Sequence, residues 1–180
     1  KATAYLYRLK RVNVPLTEIL NLYYHMYKGD GIMIFNPKSF GAKADGSHDD
    51  TNAIQQAIDK AFFSGGGRIV LKNGVFLSGT IYLKSNISLE IDASACLLAS
   101  PDINSYGSDT HHNRYRNEPE LDRCFIFAEN ADNIELCGNG IINGNAEFFP
   151  NSNNIYRPMM IRFLNCRNIR LHDLRLYNSA

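Results

Sequence analysis

Two polar segments hold the side chains best suited to binding a charged ligand. They run from Pro101 to Asp122 and from Asn145 to Tyr156, and each interrupts a series of apolar runs. The candidate binding residues are His112, Arg114, Tyr115 and Arg116 in the first segment and Arg157 at the exit of the second. They are accompanied by the aromatic residues Tyr106, Phe148 and Phe149. Because arginine forks pair with carboxylates, the pattern predicts two binding loops; the alternative is solvated loops with local ion pairs.

The adjacent carboxylates Asp49 and Asp50 could act as an acid and a base, but their position favours a structural role. They precede a run with apolar residues at helical spacing, namely Ile54, Ala57, Ile58 and Ala61. An aspartate at this position accepts a backbone hydrogen bond from the first helical turn. The pattern therefore predicts a helix capped by Asp49 or Asp50, which ends at the three glycines 65–67. These glycines follow a helix and precede a strand, the reverse of the order in a phosphate-binding loop.

No metal site is predicted from the histidines and cysteines. His111 and His112 have no third ligand at a suitable spacing, and His172 is expected to point outward from a strand into solvent. The cysteines form no CxxC pair and are expected to be free thiols buried in strands: Cys96, Cys124, Cys137 and Cys166.

Composition limits the classes of function. The 180 residues are 44% hydrophobic and 21% charged, and 19 basic against 18 acidic residues give a net charge of +1. This balance argues against a nucleic-acid partner, and no apolar run reaches the roughly 18 residues that a membrane span needs. The N-terminus is a poor secretion signal, so the location stays open: cytoplasmic, or secreted with a signal outside this chain.

Residues 1–34 differ from the rest and are predicted to be an N-terminal extension with one amphipathic helix between Pro15 and Gly29. Residues 35–180 follow a different pattern. After the helix that begins near Asp50, short runs rich in Ile, Val, Leu and Phe alternate with Gly and Asn turns.

The short apolar runs repeat along the chain. Laying CFIFAENADNIELCGNGIING over MMIRFLNCRNIRLHDLRLYNS aligns Asn130 with Asn165, Asn133 with Asn168 and Asn143 with Asn178. The step is 168 − 133 = 35 residues, and an earlier copy begins at Asn86, 133 − 86 = 47 residues upstream. Without the two polar segments, each repeat has about 23–25 residues, a length typical of stacked coils. We expect a solenoid whose asparagines form stacked turns; the alternative role for them is sugar binding.

The ordered segments resemble those of family 28 glycoside hydrolases, the polygalacturonase group of pectin-lyase-like β-helix proteins. The resemblance is carried by FGAKADGSHDDTNAIQQAI, GGGRIVLKNGVFLSGTIYLKSNISLEI, FAENADNIELCGNGIINGNAE and RPMMIRFLNCRNIRLHDLRLYNSA. It covers Phe35 to Ala180 and implies an all-β fold, a right-handed parallel β-helix whose N-terminal coils carry a capping α-helix.

The resemblance also implies inverting hydrolysis of galacturonan or rhamnogalacturonan, with no metal or other cofactor, and a pectic polysaccharide or oligogalacturonide as partner. Each sugar of such a polymer carries a carboxylate, which suits the arginines of the polar segments. The family's catalytic motifs, Asn-Thr-Asp, Gly-His-Gly and Arg-Ile-Lys, do not occur in this sequence, and its one Asp-Asp is the helix-cap pair. No catalytic residue is therefore assigned, and the chain alone is predicted to be inactive and to stop before the catalytic coils.

Two other functions remain open. A β-helix of this kind could bind polysaccharide or act as a scaffold without chemistry, which the polar segments would decide. A polysaccharide lyase would need clustered acidic side chains for calcium, and the strand runs contain no such cluster. The exposed end of the solenoid is also expected to drive self-association, because its strand edges and apolar interior lack a neighbouring coil.

Overall fold

The computed structural model describes residues 32–110, 122–149 and 157–179. The helix predicted between Pro15 and Gly29 lies outside these residues. So do four of the predicted binding residues: His112, Arg114, Tyr115 and Arg116.

Three parallel sheets make up the described part of the chain. The first contains β1 (Ile34–Phe35), β3 (Gly67–Leu71), β6 (Ile87–Ile91), β9 (Asp132–Cys137) and β12 (Arg167–Leu171). The second contains β2 (Asp45–Asp49), β4 (Gly74–Ser78), β7 (Ala95–Ala99), β10 (Ile141–Asn143) and β13 (Arg175–Tyr177). The third contains β5 (Ile81–Tyr82), β8 (Cys124–Glu129) and β11 (Met159–Leu164). One α-helix, α1 (Thr51–Phe63), and three short 3-10 helices (Pro37–Phe40, Ile103–Ser105, Ala146–Phe148) complete the described elements.

The chain visits the three sheets in turn and then begins the next coil, which confirms the predicted parallel β-helix. Gly67 pairs with Ile87, so a coil without an insertion takes 87 − 67 = 20 residues, fewer than the sequence suggested. The longer predicted steps appear in the register: Ser88 pairs with Glu135, 47 residues on, and Ile126 pairs with Ile161, 35 residues on.

Columns of apolar side chains from successive coils form the core. In β3, β4, β6 and β7 buried residues occupy every second position, because successive side chains of a strand point to opposite faces. The parallel register then places equivalent residues side by side. Two such columns are fully buried: Ile69, Leu89 and Leu136, and Phe76, Leu97 and Ile142. Stacking therefore buries what no single coil could bury alone.

The helix α1 closes the apolar interior beside the first coils. Its buried residues recur at helical spacing and include all four predicted ones: Ala53, Ile54, Ala57, Ile58 and Ala61. They pack against β1, β3, β5 and β6. The helix ends where the chain reaches Gly65 and Gly66, which both have positive φ. Within the described residues, no helix has the length and apolar character needed to cross a membrane.

The last described coil leaves equivalent residues exposed. Leu171 lies beside Leu136 in the first sheet and is 44% exposed, and Leu176 lies beside Ile142 in the second sheet and is 50% exposed. All four cysteines are free thiols, as predicted; Cys124 and Cys137 are buried, whereas Cys96 and Cys166 are half-buried.

Stacked asparagines form the turns between the third and first sheets. Asn133 donates from Nδ2 to Oδ1 of Asn86 at 2.8 Å, and Asn168 donates to Oδ1 of Asn133 at 2.6 Å. Asn165 and Asn130 form a second ladder in the same way. All five have positive φ, the backbone geometry that asparagine tolerates better than other residues with a side chain. The predicted structural role of these turns is thus confirmed.

The third predicted asparagine pair is wrong. Asn143 pairs with Tyr177, not with Asn178. The step between β10 and β13 is 175 − 141 = 34 residues, whereas that between β9 and β12 is 35. One residue fewer connects β12 to β13 than connects β9 to β10, so the sequence alignment slips by one position at this turn.

Replacing Asn133 with alanine is expected to lower the free energy of unfolding by about 1–2 kcal/mol. Alanine pays the cost of the left-handed backbone and loses both ladder contacts. Asn133→Gly is the matched variant, because glycine loses the contacts but adopts positive φ freely. Urea unfolding should therefore rank wild type above glycine and glycine above alanine. If alanine proves as stable as glycine, backbone geometry is not what selects asparagine here.

Candidate functional site

Both polar segments leave the solenoid at the corner where the chain passes from the second sheet to the third. The first segment connects β7 to β8, and the second connects β10 to β11. Because β7 pairs with β10 and β8 pairs with β11, the two insertions occupy equivalent places in successive coils. We call this region the insertion corner; its described residues are 100–110, 122–123, 144–149 and 157–158, with the outward side chains of β5, β8 and β11.

Two of the aromatic residues in these segments hold the corner together and do not face a ligand. Tyr106 and Phe149 are both buried, with their ring centroids 6.3 Å apart, and Tyr106 also lies edge-on to Phe125 at 6.5 Å. The Tyr106 hydroxyl donates to the backbone oxygen of Ser100 at 2.6 Å. Burial raises the pKa of Tyr106, so it stays a neutral donor. Phe148 is exposed and could cover a ligand face.

The first insertion is fixed at the points where it leaves and returns. Tyr82 on β5 donates from its hydroxyl to Oδ1 of Asp109 at 2.6 Å, and Arg162 on β11 donates from Nη1 to the backbone oxygen of Thr110 at 3.0 Å. Thr110 in turn donates from Oγ1 to the backbone oxygen of Asp122 at 2.5 Å. Residues 111–121 therefore depart from and return to one point on the outer face of the third sheet.

Desolvation and the Asp109 carboxylate both raise the pKa of Tyr82. Its hydroxyl therefore remains a hydrogen-bond donor, and Asp109 is used to hold the loop. Asp122 pairs with Arg123 at 3.3 Å, so the carboxylates at the base of the loop have structural partners. With Arg123, Arg157 and Arg162, the described part of the corner brings guanidinium groups to the third sheet, where an anionic sugar polymer could dock.

Among the predicted binding residues, Arg157 lies within the described part. It is exposed and stands two residues before β11, whose first residue, Met159, donates from its backbone nitrogen to the oxygen of Arg123 at 3.0 Å. Tyr82 and Arg162 were not predicted. The alternation in TIYLKS and MMIRFL marks both as outward residues of a strand. The contact of Tyr82 with Asp109 has no such signal, because 27 residues separate them.

The acidic pair Asp49-Asp50 has a structural role, although the predicted helix cap is divided differently between its members. Asp50 occupies the N-cap position but makes no side-chain capping bond. Its carboxylate instead accepts from the backbone nitrogens of Lys43 at 2.7 Å and Ala44 at 2.9 Å. Asp49 accepts from the backbone nitrogen of Thr51 at 2.8 Å and so supports the start of α1.

Comparisons with known proteins agree with this architecture. Residues 34–157 match the profile of the family described as Rhamnogalacturonase A/epimerase, pectate lyase-like. An exo-poly-alpha-D-galacturonosidase of Dickeya chrysanthemi is 36% identical over 121 residues, which cover 62% of this chain and 19% of that protein. Polygalacturonase-2 of Solanum lycopersicum is 30% identical over 164 residues, which cover 83% of this chain and 33% of that protein.

A solved structure supports the fold independently. The exopolygalacturonase from Thermotoga maritima matches with a TM-score of 0.69 at 24% identity, over 82% of this chain and 42% of that one. The chain thus spans about a fifth to a third of the length of the two curated relatives. The family profile covers well over half of the chain, and the resemblance to the polygalacturonase group seen in the sequence is confirmed. This chain therefore belongs to the rhamnogalacturonase A/epimerase, pectate lyase-like family of parallel β-helix proteins.

Proposed function

We propose that this chain is the N-terminal part of a pectin-degrading glycoside hydrolase, with polygalacturonase-like, inverting hydrolysis of galacturonan or rhamnogalacturonan. The observation that carries the proposal is the likeness to a plant polygalacturonase across 83% of the chain, which includes the repeated strands as well as the helix signature. The likeness to a bacterial galacturonosidase supports the same substrate class.

In this proposal the insertion corner contributes to substrate binding. Galacturonan carries one carboxylate on each sugar, and each guanidinium group can hold one carboxylate through two hydrogen bonds. Arg157 would supply one contact from the described residues. The other proposed contacts are made by the residues of the first insertion: His112, Arg114, Tyr115 and Arg116.

Hydrolysis with inversion needs two carboxyl groups about 6.5–9.5 Å apart, one to protonate the leaving oxygen and one to activate water. The residues of the Asp49-Asp50 pair are used for loop and helix contacts and cannot serve in this way. The acid and base would therefore come from coils that follow Ala180 in the complete protein. The 180-residue chain alone is expected to bind substrate and not to cleave it.

The purified 180-residue chain should release no reducing sugar from polygalacturonate but should bind oligogalacturonides saturably. Arg157→Ala is expected to weaken binding about tenfold, because one charge-assisted contact contributes roughly 1.4 kcal/mol or more. Arg175→Ala is the matched control, since this exposed arginine lies on β13 in the second sheet, away from the insertion corner. Calorimetric titration would measure both affinities.

The coding sequence beyond Ala180 tests the enzymatic part of the proposal. It should encode Asn-Thr-Asp, Asp-Asp, Gly-His-Gly and Arg-Ile-Lys in the following coils, and the longer product should release saturated galacturonate. Saturable binding without those motifs would favour a polysaccharide-binding scaffold. Calcium-dependent release of unsaturated sugars would favour a lyase. Sugar release by the 180-residue chain itself would overturn its proposed inactivity.

Self-association of the 180-residue chain stays a prediction. The residues proposed to drive it are the exposed apolar side chains of the last described coil, Leu171, Leu176 and Tyr177.

A further inference from the structure

Three different metal-ligating side chains meet on the outer face of the first sheet. Glu135 and Cys137 both lie on β9, and because Leu136 between them points into the core, both project outward. His172 follows β12 in the next coil. One carboxylate oxygen, the Cys137 sulfur and one ring nitrogen of His172 lie within 4.8 Å of one another. His172 was predicted to be a solvated residue, but it is only half-exposed and contacts two carboxylates.

We propose that Glu135, Cys137 and His172 bind a Zn²⁺ ion. Thiolate, imidazole and carboxylate are the usual protein ligands of zinc, and three of them leave a fourth tetrahedral position for water. The thiolate and the carboxylate would together neutralise the charge of the ion. On binding, the thiol proton of Cys137 passes to solvent as the zinc–sulfur bond forms.

The cluster already has the contacts that orient zinc ligands. Nδ1 of His172 lies 2.9 Å from Oδ2 of Asp173, which leaves Nε2 directed toward Oε1 of Glu135 at 3.1 Å. Zinc-bound histidines are typically held in this way, with the second ring nitrogen on a carboxylate. The other oxygen of Glu135, Oε2, accepts from the hydroxyl of Ser88 at 2.6 Å. Both the histidine and the glutamate therefore present one defined atom to the same space.

The distances suit a zinc ion after small side-chain rotations. Bonds of about 2.0–2.3 Å in a tetrahedron put the ligand atoms about 3.3–3.7 Å apart. The nitrogen and oxygen are now 3.1 Å apart, joined by a hydrogen bond that the ion would replace. The neighbouring cation Arg68 does not occupy this space. It pairs with Glu90 at 3.0 Å and approaches Glu135 only at Oε2, at 3.9 Å.

The sequence gives little sign of this cluster, because 172 − 137 = 35 residues separate the histidine from the thiol. The 35-residue register of β9 and β12 brings them together. The ion would join two successive coils at the first sheet, so binding should also raise the thermal stability of the chain. The proposal rests on side-chain geometry alone and stands or falls separately from pectin hydrolysis.

The test is a titration of the reduced, chelator-treated 180-residue chain with ZnCl₂ and with CoCl₂. Calorimetry should show one equivalent of zinc bound, with a rise in melting temperature. Cobalt should give the near-ultraviolet absorption of a thiolate complex. Cys137→Ser should abolish that absorption, and His172→Ala should abolish stoichiometric zinc binding; His172 is exposed enough for this variant to fold. Asp173→Asn should weaken binding by about 10–100-fold.

Three matched controls should bind zinc like the wild type. Cys96→Ser removes a different half-buried thiol. His48→Ala removes a histidine that pairs with Asp45 at 2.6 Å, a histidine–carboxylate contact like that of His172. The double variant His111→Ala, His112→Ala removes the adjacent histidines of the first insertion. Loss of binding in this double variant, retention of binding in Cys137→Ser and His172→Ala, or no binding by the wild type would each overturn the proposal.

Discussion

Replacing Leu89 with alanine is expected to lower the free energy of unfolding by about 2–5 kcal/mol. Leu89 is fully buried in the middle of its column, between Ile69 of the preceding coil and Leu136 of the next. The substitution removes buried methyl groups and leaves a cavity that neighbours on both sides, held in sheet register, cannot fill completely. Urea unfolding of the 180-residue chain, followed by circular dichroism, measures the loss.

Leu171→Ala is the matched control, because Leu171 belongs to the same column but is 44% exposed. Its loss should stay well below that of Leu89→Ala, since far less apolar surface returns to water. Equal losses at the two positions would show that the column does not carry the stability of the coils, and the account of the core would then fail.

The sequence predicted the coils well because their physical signal is local and repeated. Inward apolar residues alternate along each strand, and the asparagine turns recur once a coil, so Asn133 and Asn168 could be aligned before any coordinates were known. The same signal failed at Asn143 and Asn178, where a turn shortens by one residue. A period of two in side-chain direction makes a strand sensitive to such a slip, and nothing in the turn sequence itself marks it.

The insertion corner was less predictable, because its contacts join residues far apart in the chain. The polar composition of the first segment identified it as an insertion. The composition could not reveal that Tyr106 would be buried against Phe149, or that Tyr82 would hold Asp109. Those contacts depend on the coil register, which places β5, β8 and β11 side by side. The arrangement of Glu135, Cys137 and His172 depends on the same register and was missed for the same reason.

Replacing Asp50 with alanine is expected to destabilise the chain by about 2–4 kcal/mol. Asp50 is only 2% exposed, and its two carboxylate oxygens accept from the backbone nitrogens of Lys43 and Ala44. Without the carboxylate, the buried nitrogen of Ala44 has no acceptor, whereas that of Lys43 is partly open to water. Asp50→Asn should lose less, because one amide oxygen can still accept from one of the two nitrogens.

Asp49→Ala separates this structural role from a catalytic one. Asp49 is exposed and supports the first turn of α1 through Thr51, so its loss should cost about 1 kcal/mol, as for other N-terminal helix caps. A catalytic pair would behave differently: both substitutions would abolish sugar release by the complete enzyme and leave the unfolding midpoint almost unchanged. We expect the opposite pattern in thermal and urea unfolding, with a large loss at Asp50 and a small one at Asp49. Equal stability of the two variants would contradict the assignment of Asp50 as the residue that ties the loop before α1 to the solenoid.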